Sequence, residues 1–196
     1  MNVNEVVMEC KIMSKPEVQA TYGLDTIYEC LVSCPRTSGK EDIFKVQYSK
    51  GIGVLDLDEG DFISVAGELR TAKVYMESEN RRFLCVYINA NEISKIDEPK
   101  KYQNKIILKG FPVVKDATFR KSFDDRDIDI TEVVIEVPRN KCKTSYIHCT
   151  LWNNLARLAS TLKKGDIIEL EGRLQSHVSK NGHTLVEVSV SSVDKL

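Results

Sequence analysis

The segment Ser145–Trp152 reads Ser-Tyr-Ile-His-Cys-Thr-Leu-Trp and switches side at every residue. A period of two is the signature of a strand with one buried face. Ile147, Cys149 and Leu151 make the core set, which turns Tyr146, His148, Thr150 and Trp152 outward. Flat rings held on an exposed strand can stack unpaired bases, at about 1–3 kcal/mol per base and with little sequence preference. Trp152 is the only tryptophan of the chain. It ends its strand, so capping the core is the competing role for its ring. Cations that could follow phosphates lie nearby in sequence: Arg120, Lys121, Arg139, Lys141, Lys143, Arg173 and Lys180, with Phe119 beside Arg120.

Other chemistry finds little support. The six cysteines (Cys10, Cys30, Cys34, Cys85, Cys142, Cys149) include no Cys-x-x-Cys, and His148, His177 and His183 are not at zinc spacing. Reduced cysteines inside apolar strands act as small hydrophobes. Asp124-Asp125-Arg126-Asp127-Ile128-Asp129 lacks the glycine and terminal glutamate of an EF-hand loop, so it reads as a solvated turn. With no Gly-rich phosphate loop, carboxylate pair or nucleophile arrangement, we expect a binding protein without cofactor or metal, and not an enzyme.

The elements that must position these residues follow from the same periodicities. Asn104–Val114 reads as a strand with Gly110 as a candidate bulge, and Ile130–Pro138 and Ser145–Trp152 as two more. In Asn153–Leu162 the period lengthens: Leu155, Leu158 and Leu162 share a helical face, with Asn153 or Asn154 as cap. Ile167–Val178 and Thr184–Val193 flank Ser179-Lys180-Asn181-Gly182, where Asn-Gly signals a hairpin. Three strands, one helix and two strands is the order of the OB fold, a five-stranded Greek-key barrel that often holds oligonucleotides.

This pattern occurs twice. Glu59–Arg70 and Lys164–Gln175 agree at five of twelve positions, including Gly60-Asp61 with Gly165-Asp166 and Gly67 with Gly172. Val32–Arg36 matches Ile135–Arg139, and Asn4–Met8 matches Asn104–Leu108, in the same order. The expected fold class is therefore all-β: two tandem OB barrels, residues 1–98 and 99–196, joined at the polar, proline-broken stretch Asp97–Gln103. The first copy loses the helix, since Gly51 and Gly53 weaken one in Lys50–Glu59. Its third strand buries Phe44, Val46 and Tyr48 and shows Ile43, Lys45, Gln47 and Ser49, with no aromatic; its later hairpin carries Tyr75, Arg81 and Arg82. The formal net charge of −1 hides an asymmetry: residues 1–98 carry 11 basic and 17 acidic side chains, residues 99–196 carry 17 and 12. The second barrel is thus the basic one and also holds Trp152. No apolar run is long enough to span a membrane and Met1–Glu5 opens no signal peptide, so a cytoplasmic location is expected.

At these residues the chain resembles the bacterial single-stranded DNA-binding protein family, including its primosomal relatives. The matching residues are Asn104–Gly110, Lys115-Asp116 with Arg120, Tyr146–Trp152, Leu155-Ala156, Leu162–Asp166 and Glu171–Leu174, with weaker matches at Asn4, Lys15–Val18, Gly60-Asp61 and Gly67–Leu69. The resemblance implies single-stranded DNA binding by stacking and cations, and assembly into four OB folds, here a homodimer. Tyr146 and Trp152 fall at its stacking positions, His148 and His177 at cationic ones, and Ser179 where a further tryptophan is frequent. The family commonly carries an acidic tail that recruits replication and repair proteins; with Val193–Leu196 as the last residues read, such recruitment is not expected. The leading expectation is a single-stranded DNA-binding protein (RNA being the related ligand) acting in replication, recombination or repair. The alternative is an OB-fold adaptor or primosomal-type scaffold, with replication or primosome proteins as partners.

Overall fold

The computed structural model describes residues 3–52, 56–76, 80–121, 128–140, 143–179 and 182–196. They fall into two compact units, one of Met1–Asn4, Ile106–Gln175 and Glu187–Leu196, the other of Glu5–Lys105 and Ser176–Val186. No helix is long and apolar enough to cross a membrane among the described residues.

The first half of the chain supplies β1 (Asn4–Ile12), β2 (Glu17–Tyr22), β3 (Asp25–Pro35), β4 (Glu41–Ser49), β5 (Phe62–Met76) and β6 (Arg81–Ile96). Strand β1 pairs antiparallel with β5 and, through Lys11↔Ser33, with β3. Strand β3 pairs antiparallel with β4, β4 runs parallel to β6, and β6 returns antiparallel to β5. That circuit closes a five-stranded barrel, and β2 continues the first strand along β3 after the break at Met13–Pro16. Pro16 has no N–H to give a ladder, which suits the break. Phe44, Val46 and Tyr48 point into the core with Met8, Ile12, Ile63 and Ile88. A single 3₁₀ turn, Lys50–Ile52, follows β4 where the second copy has its helix; Gly53 lies outside the described residues.

One buried polar cluster stands out in this unit. The Asp42 carboxylate accepts from Arg36 Nε (2.7 Å) and Nη2 (2.6 Å), and from the Ser176 backbone N–H (2.6 Å). Buried charges persist only when paired and hydrogen-bonded, and this one holds Ser176 against β4.

The second half supplies β7 (Asn104–Lys121), β8 (Asp129–Asn140), β9 (Lys143–Trp152), α1 (Asn154–Ala159), β10 (Ile168–Val178) and β11 (Thr184–Lys195). Antiparallel β7–β8–β9, a parallel β9–β11 pair, β11 beside β10, and β10 back on β7 close the same circuit. Two expectations need correction. Gly110 is no bulge: its pairing with Ile168 is regular, and the irregularity lies between Val113 and Thr118. Gly110 is instead a close-approach site, since a Cβ there would collide with the Glu136 carbonyl oxygen. The helix is shorter than expected and its expected face holds only in part: Leu162, just beyond it, is buried as expected, Leu155 is half-buried and Leu158 is not buried. Ala156, Ala159 and Leu162 are the buried positions while Leu158 is exposed, because the Thr131 hydroxyl draws the first turn onto β8 by donating to the Ala156 carbonyl (3.0 Å). Asn153 precedes the helix without a side-chain cap bond.

The duplicated residues do duplicated structural work. Gly60 and Gly165 both sit at φ +95°, a backbone conformation that favours glycine. After them, Asp61 Oδ2 accepts from Asp58 N–H (2.7 Å) and pairs with Lys95 (2.8 Å); Asp166 Oδ2 accepts from Lys163 N–H (2.8 Å) and pairs with Lys195 (2.8 Å). These contacts hold both carboxyls below their ordinary range, through the backbone bond first for Asp61 and Lys195 first for Asp166. A Cβ on Gly67 or Gly172 would strike the carbonyl oxygen of Asn89 or Ser189 on the neighbouring strand.

Candidate nucleic-acid interface

Strand β9 buries Ser145, Ile147, Cys149 and Leu151 and leaves Tyr146, His148 and Trp152 exposed, Tyr146 by 42% and Trp152 by 40%. Thr150 departs from the expected outward set. It is buried, because β11 runs beside β9 with Ser189 opposite Thr150, and its hydroxyl donates to Glu187 Oε2 (2.7 Å). Two residues of strand advance about 6.6 Å, so Tyr146, His148 and Trp152 span about 20 Å on one side of the sheet.

The register extends this side across three strands. Tyr146 lies opposite Glu136, which lies opposite Phe111; His148 lies opposite Val134 and then Val113; Trp152 lies opposite Ile130, which is buried. Phe111 is 38% exposed, and the sequence reading missed it. Its signal was available: in β7 the residues Ile106, Leu108 and Gly110 are buried, so Phe111 shares the outward parity of Lys105 and Lys109. A bulge at Gly110 would have reversed that parity.

The remaining candidates are scattered. Phe119, Arg120 and Lys121 lie on β7, opposite Thr131, Ile130 and Asp129. Arg139 near the end of β8 is half-buried, and its Nε has no hydrogen-bond partner among the described residues; Lys143 at the start of β9 is exposed. Arg173 and His177 are exposed on β10, with Arg173 donating to the Gln175 amide oxygen at 2.8–2.9 Å. Lys141 and Lys180 lie outside the described residues. Tyr75 is exposed near the end of β5, where its hydroxyl donates to Asn80, and Arg81 opens β6 opposite Met76. Tyr75, Arg81 and His177 belong to the unit of Glu5–Lys105 and Ser176–Val186, and not to the unit of β9.

The first copy spends its equivalent face internally. Lys45 Nζ (3.0 Å) and Gln47 Nε2 (2.7 Å) both donate to the Glu29 carboxylate. The row matching Phe111–Glu136–Tyr146 is Lys11–Ser33–Ile43, where Lys11 lies 5.7 Å from the Phe62 ring and Ser33 is buried. Tyr48 is turned inward, stacked on Tyr28 at 5.5 Å, and burial pushes its hydroxyl up to about 12.

Among the described residues the buried cysteine thiols are shifted away from reactivity. Burial pushes the Cys30 thiol up to about 12 and raises Cys10 and Cys149 as well, which suits packing and not attack. Among the described residues no group of three His, Cys, Asp or Glu could hold a metal ion.

Comparison with known proteins adds three findings. Residues 103–196 match the model of the Single-strand binding protein family. The single-stranded DNA binding protein from Thermus aquaticus matches in its wild-type form over 100% of this chain and 93% of that chain, at 21% identity and TM-score 0.78. A deletion mutant of the same Thermus aquaticus protein matches over 100% of this chain and 95% of that chain, with the same identity and TM-score. That likeness establishes the OB fold of both halves. No curated protein matches the chain by sequence.

Proposed function

We propose that this chain, whose residues 103–196 match the model of the single-strand binding protein family, binds single-stranded DNA on the β7–β8–β9 face of its second barrel. The observation that carries the reading is the exposure of Tyr146, His148 and Trp152 on one side of β9, above a core of Ile147, Cys149 and Leu151. Bases stack on Tyr146 and Trp152, at about 1–3 kcal/mol each. Arg120, Lys121, Arg139, Lys141, Lys143, Arg173 and Lys180 are the cations available for phosphates, with Phe119, His148 and His177 as further contacts. Tyr75 and Arg81 offer a secondary contact on the first copy. The work such a protein does is to hold unpaired DNA during replication, recombination or repair, in the cytoplasm and as a homodimer supplying four barrels.

Fluorescence titration of Trp152 with oligo-dT tests the reading. Quenching at low salt is expected, and it should weaken steeply as salt rises because each phosphate contact releases a counterion. No quenching and no binding at low salt would sink it. A parallel titration with oligo-U decides whether RNA is also held.

A further inference from the structure

We infer that the row Phe111–Glu136–Tyr146 reads the bases, favouring those with an exocyclic amino group and, among pyrimidines, cytosine over uracil. This deepens the single-strand reading above and rests on it. Residues directly opposite in antiparallel strands leave the sheet on the same side, and Glu136 stands opposite both Phe111 and Tyr146. Both rings are exposed, Phe111 by 38% and Tyr146 by 42%. Neighbouring strands lie about 4.8 Å apart, so the two rings flank the Glu136 side chain within reach of one stacked base. Glu136 takes part in none of the ion pairs among the described residues.

A carboxylate only accepts hydrogen bonds. Cytosine places its N4 amino donor where uracil and thymine carry the O4 acceptor. A base stacked on Phe111 or Tyr146 with its polar edge toward Glu136 is therefore held if it is cytosine or adenine and repelled at O4 if it is uracil or thymine. The same charge repels phosphates. It keeps the bases against the sheet and leaves the backbone to cations farther along the strands, such as Lys143 at the start of β9. The first barrel has no such reader, since its equivalent row is Lys11–Ser33–Ile43.

The test compares oligo-dC and oligo-dU of equal length by fluorescence anisotropy, at low salt and near neutral pH, with the wild-type chain and with Glu136→Gln and Phe111→Ala. The wild type is expected to hold oligo-dC about five- to tenfold more tightly, the scale of one carboxylate–amino contact. Glu136→Gln, whose amide can both donate and accept, should bring the ratio close to one. Phe111→Ala should weaken both ligands about fivefold or more. Equal wild-type affinities, or a ratio unchanged in Glu136→Gln, overturn the inference while the single-strand reading stands. An unchanged affinity in Phe111→Ala removes the ring from the row and overturns it too. No binding to either ligand overturns the single-strand reading, and this inference with it.

Discussion

Trp152 and Tyr146 are exposed on a strand whose alternate residues Ile147, Cys149 and Leu151 are buried. Tyr48, on the equivalent strand of the first copy, is buried and stacked on Tyr28 instead. A stacked base exchanges hydration of a ring face for dispersion contact, so only the exposed rings can contribute to binding. Trp152→Ala is therefore expected to cost about 1–3 kcal/mol of oligo-dT affinity. Tyr75→Ala, on the hairpin of the first copy, should cost less. Equal losses in the two titrations would contradict the assignment of the main interface to the second barrel. At this scale strict alternation was a good guide with one exception. Tyr146, His148 and Trp152 were legible as outward residues; Thr150 was not, because a neighbouring strand covers one residue of an otherwise open face.

At the scale of elements, the repeated Gly-Asp turn has a physical reason to persist in both copies. It ends a connection with a glycine at φ +95°, then uses the aspartate to tie a backbone N–H and the lysine of the last strand, Lys95 or Lys195. Both carboxyls are held below the ordinary 3.8. A folded-state pKa below the unfolded one contributes stability above the unfolded value, and that contribution is lost as pH falls through and below it. The double variant Asp61→Asn, Asp166→Asn should thus have a lower urea midpoint than wild type at neutral pH. The difference should shrink as pH drops below 3.8. A constant difference across that range would assign the effect to shape and not to charge. The helix shows the limit of reading elements from pattern alone: Leu162 is buried as its spacing suggests, but Leu158 is exposed and Ala156, whose carbonyl accepts from the Thr131 hydroxyl, is buried instead.

For the whole molecule, the formal charge of −1 says nothing about nucleic acid until the chain is divided, because an acidic first half conceals a basic second half. Long-range steering of a polyanion depends on where charge lies, not on its sum. Among the described residues β9 presents rings outward whereas its counterpart β4 does not, so the two barrels offer unlike faces. The homodimer proposed above should elute with twice the 22.2 kDa chain mass in light scattering. A strictly monomeric mass at all concentrations would remove the four-barrel assembly while leaving the binding face intact.

Fold class, duplication and the outward parity of β9 were all readable from the order of residues, because strand periodicity and turn glycines are local and survive without tertiary context. The rest came from contacts between strands. They showed that Gly110 passes against a carbonyl and keeps the parity that turns Phe111 outward. They showed that Thr150 is covered by β11, and that Glu136 stands between two rings. Each of these depends on which strand lies beside which, and that pairing is set by the closure of the barrel and by no single stretch of residues.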